Sequence, residues 1–230
     1  QMEDPKLAKG LVKRDVIRVI TPGTVLENSM LDETRNNFLC SVCYEEGGLG
    51  LCFGDISTGD LTADQVLAQD METLLHILED RLARYSPSEI LLNPQALSFS
   101  GLADFIRDKL HAAVECQDQA LYDDLEGSQQ AVCRQFGGKS LAQLELSDKP
   151  LAVKALGALF DYLSRTQITG LERMNEVDIG ADAGVMGLDI NARRNLELTA
   201  TLRNKEKKGS LLWVLDRTKT AMGKRLITTW

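Results

Sequence analysis

Residues 37–63 read N-F-L-C-S-V-C-Y-E-E-G-G-L-G-L-C-F-G-D-I-S-T-G-D-L-T-A. Four side chains at alternate positions are apolar or aromatic, which is the two-residue period of a strand that buries one face: Phe38, Cys40, Val42 and Tyr44. Gly47-Gly48 then predicts a hairpin turn into a second alternating strand. Ser57-Thr58-Gly59 marks another turn before a short third strand near Asp60–Ala63. The stretch therefore predicts an antiparallel meander of three strands.

The segments that follow alternate between helix and strand patterns. Apolar residues at helical spacing predict a helix over Met71–Tyr85, which Ser86-Pro87 ends. Short buried strands are predicted at Glu89–Leu92 and Ala113–Cys116, with a helix around Leu102–Leu110 between them. Further helices are predicted over Ser128–Phe136 and from Pro150 onward, with an acidic loop or exposed helical turn over 118–126. This is the element order of a ribonuclease H-like α/β domain with a mixed sheet.

Charge is unevenly distributed along the chain. The formal net charge is −8, and residues 1–24 carry +2 and residues 188–230 carry +6, so the middle carries −16. An acidic surface opposes the phosphates of DNA, so the middle is a poor DNA-binding surface, and the basic residues 188–230 are the possible one. No run of about 18 or more apolar residues exists, so no membrane partner is expected. Five cysteines, an odd number, favour free thiols in a reducing compartment, and the cytoplasm is the expected location.

The closing stretch, residues 188–230, contains two amphipathic segments. Apolar residues from Ile190 to Leu202 predict a first helix, and Met222, Leu226 and Trp230 lie four residues apart on one face of a second. The chain stops on that face without a cap, glycine or proline, so we expect the sequence to be a fragment and this face to be partly exposed. The lysines between the segments, at positions 205, 207 and 208, are typical of a solvated loop.

Two short motifs suggest ligand binding but lack the right surroundings. Gly138-Lys139-Ser140 could belong to a phosphate-binding loop, but that motif needs a glycine where Cys133 stands and follows a strand. A helix C-cap is the better interpretation. Cys40 and Cys43 have zinc or redox spacing, but residues three apart on a strand point to opposite faces. Two buried thiols are therefore expected.

Asp55-Ile-Ser-Thr-Gly-Asp60 is the motif with the strongest catalytic suggestion. A ribonuclease H-like nuclease or phosphotransferase remains the alternative function, since carboxylates after such strands can hold two metal ions. The first strand has no Asp between Asn37 and Tyr44, however, and Asn93 follows the fourth. We expect Asp55 and Ser57 to cap local amides instead. His76 and His111 have no nucleophile spaced to form a triad, so no catalytic, cofactor or metal residue is assigned.

Three stretches resemble the bacterial MutS family of DNA mismatch repair proteins. Glu3-Asp4-Pro5-Lys6 with Lys9–Arg14, together with Arg18–Thr24, resemble the end of the family's mismatch-recognition domain. Asp55–Gly59 resembles its connector domain. Arg194–Leu198 after Leu188-Asp189, and Leu215-Asp216 with Thr220–Leu226, resemble the opening of its core or lever domain. The matches follow the family's order and cover nearly all of the chain.

The resemblance implies a division of the chain and a set of parent functions. Residues 1–24 would end the mismatch-recognition domain, 25–178 would form a ribonuclease H-like connector, and 179–230 would begin a truncated α-helical lever. The implied parent binds mismatched DNA as a homodimer, uses ATP and magnesium to become a sliding clamp, and recruits MutL. The mismatch wedge and the ATPase are expected outside this stretch, so the fragment is expected to be neither an enzyme nor bound to a cofactor.

One partner contact and two hinges are carried over from the family. Gln129 and Gln130, on the helix that ends at Gln135-Phe136-Gly137, resemble family positions that contact MutL. Two solvated glutamines are the alternative. In the parent the connector would move as a unit between the DNA-sensing and ATPase states, and the candidate hinges are Thr21–Thr24 and residues 180–187.

Overall fold

A computed structural model of the chain describes residues 19–25, 35–166, 171–180 and 190–229. Three strands form the predicted antiparallel meander: β1 (Leu39–Glu45), β2 (Gly48–Gly54) and β3 (Leu61–Leu67). Glu45 pairs with Gly48 at the hairpin, and Gly47 takes the left-handed backbone that the turn needs, with φ +86°. The third strand is longer than expected because Thr62 to Leu67 continue to pair with β2.

Within the described residues, the sheet has six strands in the order β5-β4-β1-β2-β3-β6. β4 (Glu89–Leu92) lies parallel to β1, and β5 (Ala113–Cys116) lies parallel to β4. This mixed sheet, with its first three strands antiparallel, confirms the predicted α/β fold class. The sixth strand, β6 (Asp178–Ile179), was not predicted, because its two residues carry no periodic pattern.

One face of the sheet packs against helix α1 (Met71–Tyr85). The Asp70 carboxylate caps this helix by accepting a hydrogen bond from the Thr73 amide at 2.7 Å, and Ser86 ends it in the left-handed conformation. Leu74, Leu78 and Leu82 point into the core, where they meet the predicted alternating side chains of the meander, with Phe38, Cys40, Val42 and Tyr44 among them. The face of β1 that was predicted from its alternation is therefore correct.

The opposite face is covered by α5 (Pro150–Thr166), the longest helix. A β-carbon on Gly50 of β2 would lie 2.0 Å from the Leu151 carbonyl oxygen. Gly50 therefore lets the backbone of α5 approach the sheet directly. α5 in turn packs against α4 (Leu125–Gln135), where a β-carbon on Gly157 would lie 2.5 Å from Ser128 Oγ.

The connection from β4 to α4 departs from the prediction in its first helix, whereas its acidic stretch forms a helical turn, one of the two predicted alternatives. The helix around 102–110 is an α-helix, α2 (Leu102–Phe105), followed by a π-helical turn (Ile106–Leu110), because the His111 amide donates to the Ile106 carbonyl five residues back. The acidic stretch contains a short helix, α3 (Gln119–Asp123), which buries Tyr122. Among the described residues there are three 3₁₀ turns: Pro22–Thr24 before β1, Pro94–Ser98 after β4 and Leu171–Arg173 after α5.

The closing stretch forms three helices: α6 (Ile190–Asn195), α7 (Leu211–Leu215) and α8 (Ala221–Thr229). The helix predicted to continue to Leu202 ends early, because Glu197 turns left-handed with φ +48° and its carboxylate accepts from the Leu202 amide at 2.6 Å. Leu226 is 57% exposed, as expected, whereas the Met222 side chain and Trp230 lie outside the described residues. Among the described helices, none is long and apolar enough to cross a membrane.

Candidate functional site

The predicted partner residues lie on the outer side of α4. The Asp124 carboxylate caps this helix at the Gly127 amide, at 2.8 Å, and Ser128 and Val132 face the core. Gln130 is exposed between Glu126 and Arg134, one helical turn away on either side, and Gln129 is half-buried beside it. Gln130 is therefore accessible on α4, whereas Gln129, roughly 100° further round the helix, is only partly accessible.

The end of α4 shows what Gly138-Lys139-Ser140 does. Gly137 and Gly138 have φ of +68° and +83°, and the Gly138 amide donates to the Cys133 carbonyl at 2.8 Å. A β-carbon at either glycine would meet nothing, so the positive φ is the reason for glycine here. The triplet is a helix C-cap followed by an exposed loop, as predicted, and not a phosphate-binding loop.

The Asp55 carboxylate is buried in its own turn. Oδ1 accepts from the Ser57 amide at 2.8 Å and from Ser57 Oγ at 2.6 Å, and Oδ2 accepts from the Asn37 amide at 2.9 Å. These bonds confirm the predicted capping role and point both oxygens at donors. Asn93 is also occupied, since its amide exchanges bonds of 2.9 and 2.8 Å with the Tyr44 backbone. In the described parts of the chain, no three His, Cys, Asp or Glu side chains are grouped to hold a metal ion.

A chain of hydrogen bonds runs from the N-terminal turn, through Asp55, to the closing helices. Asn37 Nδ2 donates to the Pro22 carbonyl at 2.8 Å, while its backbone amide holds Asp55. Ser57 Oγ, bonded to Asp55, accepts from Arg225 Nη1 on α8 at 3.2 Å. We call these five residues, Pro22, Asn37, Asp55, Ser57 and Arg225, the Asn37 network. It links residues 203 positions apart in the sequence through three short side chains.

Buried Glu89 fastens the N-terminal turn to the sheet a second time. Oε2 accepts from Thr21 Oγ1 at 2.6 Å and from the Gly23 amide at 2.8 Å, and Oε1 accepts from Tyr162 Oη at 2.7 Å. Burial, with the hydrogen bond to Glu89 next, raises the pKa of Tyr162 above its ordinary value. A β-carbon on Gly23 would lie 2.9 Å from Glu89 Oε2, so only glycine fits beside this carboxylate.

These bonds change the interpretation of the first candidate hinge. Thr21–Thr24 is held by hydrogen bonds to Glu89 and to Asn37, so this segment is fastened to the sheet. A hinge at these four residues stays a prediction, and movement there would have to break these bonds. Most of the second candidate, residues 181–187, lies outside the described residues. Sequence reasoning also missed Glu89 and Asn37. The only signal for Glu89 was a charged residue at the start of a predicted strand, E-I-L-L, whose other three residues are apolar.

The remaining candidates have structural roles. Cys40 and Cys43 lie in the two different cores, on opposite faces of β1 as predicted. Burial, the largest cause, raises the pKa of Cys43 to about 12, which makes its thiol unreactive. His76 is exposed on α1, and His111 Nδ1 lies 2.7 Å from the Arg107 carbonyl. The lysines of the predicted loop are exposed, and Lys207 pairs with Asp216.

Comparison with protein families gives three matches in chain order. Residues 1–29 match MutS domain I, residues 37–176 match MutS domain II, and residues 191–230 match MutS domain III. The middle match covers more than half of the chain. In these terms, the Asn37 network joins residues matched to all three domains.

Curated relatives are similar over the entire chain. The chain is 42% identical over 230 residues to the DNA mismatch repair protein MutS of Caldanaerobacter subterraneus subsp. tengcongensis, and 42% identical over 230 residues to that of Lachnoclostridium phytofermentans. It is 39% identical over 232 residues to that of Alkaliphilus oremlandii. All three alignments include 100% of this chain but only 26%, 24% and 26% of the respective relatives. The chain therefore spans about a quarter of the length of the curated relatives that it matches.

Proposed function

Because this chain belongs to the MutS family of DNA mismatch repair proteins, we propose that its α/β domain is the connector of such a protein. In this proposal residues 25–178 transmit conformational change between a mismatch-binding part and an ATPase part. Residues 1–24 end the first of these, and residues 179–230 begin the lever that leads to the second. Mismatched DNA, ATP with magnesium, and homodimer formation belong to parts of the parent beyond this stretch.

The Asn37 network is the observation that carries this proposal. It reaches the N-terminal turn at Pro22 and helix α8 at Arg225, and its middle members sit at the rigid end of the β1–β2 pair. A displacement of the N-terminal turn strains its bond to Asn37, and a displacement of α8 strains its bond to Ser57. Asn37 and Ser57 both donate to the same buried carboxylate, Asp55. Two flanks that share one set of bonds are coupled whenever the set has two arrangements.

Substitution of Asn37 in a full-length protein that contains this chain tests the coupling. Asn37→Ala removes the bonds to Pro22 and Ser88 but keeps the backbone amide that holds Asp55. We expect mismatch binding to be retained and ATP-driven sliding from the mismatch to slow by about fivefold, since coupling energies of about 1 kcal/mol are typical. Stopped-flow fluorescence on mismatched DNA measures both.

Asn36→Ala is the matched control. The neighbouring asparagine bonds Asp60 at 3.1 Å and has no place in the network. The Asn36→Ala variant should slide from the mismatch at the same rate as the unsubstituted protein. If Asn37→Ala also slides at that rate, the network does not transmit the signal and the connector role loses its structural basis.

The accessible face of α4 supports a second part of the proposal, a contact with MutL through Gln129 and Gln130. The exposed amide of Gln130, with the half-buried amide of Gln129 beside it, can bond backbone groups of a partner without burying a charge. We expect Gln129→Ala combined with Gln130→Ala to reduce MutL capture by the full-length protein by about tenfold. Gln95→Ala, at an exposed turn elsewhere, is the control. Unchanged capture by the double variant would remove these residues from the contact.

A further inference from the structure

The sheet ends in a strand whose outer edge is open to solvent. Three of the four residues of β5 are exposed, and β5 is the terminal strand of the sheet in the described part of the chain. The Ala113 amide donates to Ser88 and the Gln117 amide to Leu92, so these alternate residues face β4. In a parallel pair every second residue bonds the partner strand. The remaining residues of β5, Val114 and Cys116, therefore direct their N–H and C=O groups away from β4. β5 therefore presents a row of backbone donors and acceptors at the outer edge.

An apolar groove lies along this edge. Its volume is about 340 Å³, which is room for one or two large aliphatic side chains. Buried Phe99, Leu102 and Ile106 form its floor, and Leu97 and Val114, 56% and 46% exposed, form its rim. The register pairs Val114 with Ile90 and Cys116 with Leu92, whose side chains belong to the same core as the groove residues. The side chains of Val114 and Cys116 therefore lie on the face of the sheet that carries the groove.

The rim of the groove is shaped by an unusual local backbone. The π-helical turn Ile106–Leu110 ends at His111, which has φ +56° and anchors its ring to the Arg107 carbonyl. A left-handed non-glycine residue after a π-turn costs conformational free energy, and such turns are frequent at functional sites. Arg107 is held by Asp104 and Asp108, at 2.7 Å from each. The end of the groove is therefore a fixed feature of the backbone.

Charge at the edge selects the kind of segment that fits. Residues 113–118, at and directly after β5, contain two acidic residues and no Lys or Arg, and both carboxylates are exposed: Glu115 and Asp118. A second copy of β5 would bring a like set of charges to the edge, which is unfavourable across paired strands. A basic segment would be attracted to it.

We propose that the β5 edge binds an extended segment of a partner protein by strand addition. The segment carries an apolar residue that enters the groove and basic residues that face Glu115 and Asp118. Backbone bonds to Val114 and Cys116 supply orientation, and the groove and the carboxylates supply specificity. This surface is distinct from Gln129 and Gln130, because α4 packs on the other face of the sheet, and it does not depend on the connector role.

Binding of a defined peptide to the full 230-residue chain tests the proposal. The probe is a blocked, fluorescently labelled peptide that alternates leucine and threonine and has lysines at both ends. We expect saturable binding by fluorescence anisotropy, and Leu97→Glu should weaken it by about tenfold or more. Hydrogen exchange followed by NMR should show new protection at the Val114 and Cys116 amides.

Three controls separate strand addition from other binding. Leu67→Glu, an equivalent change at a 70% exposed leucine of β3, should leave the affinity unchanged. A peptide N-methylated at alternate residues should not bind, and neither should one with glutamates in place of the lysines. Absence of saturable binding, equal binding of the N-methylated peptide, or protection of Val114 and Cys116 by self-association without peptide would each overturn the proposal.

Discussion

At the scale of single residues, two buried polar side chains at the ends of β4, Glu89 and Asn93, form hydrogen bonds to distant segments of the chain. Glu89 stands at the start of β4, yet its two oxygens accept three hydrogen bonds from segments 66 to 73 residues away. Asn93, at the other end of the same strand, completes the Tyr44 backbone as an extra strand residue would. A buried carboxylate or amide is tolerated when its bonds are complete, and both of these residues meet that condition.

Glu89→Ala should therefore be strongly destabilising. It leaves the donors of Thr21, Gly23 and Tyr162 without their acceptor, and buried unsatisfied donors cost about 1–3 kcal/mol each, partly recovered by water. We expect the free energy of unfolding in urea to fall by about 3 kcal/mol. Glu46→Ala, at an exposed position of the hairpin, should change it by less than about 0.5 kcal/mol. Equal stabilities would mean that Glu89 does not hold the N-terminal turn.

At the scale of elements, the contact between β2 and α5 depends on a missing side chain. A β-carbon on Gly50 would lie 2.0 Å from the Leu151 oxygen and 2.7 Å from the Ala152 nitrogen, both of them backbone atoms that cannot rotate away. We expect Gly50→Ala to destabilise the chain by about 3 kcal/mol or more, because the helix must move off the sheet. Thermal unfolding followed by circular dichroism measures the loss.

Gly137→Ala separates this steric effect from the conformational freedom of glycine. Gly137 has φ +68°, and a β-carbon there would meet nothing. Its substitution should therefore cost only about 1 kcal/mol, the penalty of a left-handed alanine. If both substitutions cost the same, close approach is not the reason for Gly50.

At the scale of the whole molecule, ionisable groups inside the two cores make the free energy of unfolding fall at alkaline pH. Burial raises the pKa of Cys43 from 9.0 to about 12, and it also raises those of Cys40, Cys52 and Tyr122. A folded-state pKa above the unfolded one means that the unfolded chain loses its proton first. The contribution of Cys43 is therefore complete below pH 9 and is lost as pH rises toward about 12.

The free energy of unfolding should accordingly fall above pH 9, by up to about 1.4 kcal/mol per pH unit for each such group. Urea titrations between neutral pH and pH 11 measure the slope. Cys43→Ala should make it shallower, whereas Cys116→Ala, at an exposed thiol, should leave it unchanged. An identical slope in both variants would assign the alkaline loss to other groups.

Local pattern was sufficient for most of the secondary structure. The alternation in β1 and β2, the apolar period of α1, the proline at the start of α5 and the glycines after α4 are statements about neighbours in the chain, and the elements formed as they indicate. The Asp55 turn belongs to the same class, because a carboxylate caps amides within two residues of itself. Family membership was also contained in the sequence, in motifs long enough to resemble those of relatives.

Tertiary structure alone decided the rest. β6 forms because it pairs with the edge of β3, and α2 ends in a π-turn because the His111 amide bonds the carbonyl five residues back. The helix that begins at Ile190 ends early because the Glu197 carboxylate accepts from the Leu202 amide. The Asn37 network, the Glu89 bonds and the open β5 edge join or expose residues that are far apart in sequence. No local sequence pattern encodes these long-range contacts, since they form only when the folded sheet brings distant segments together.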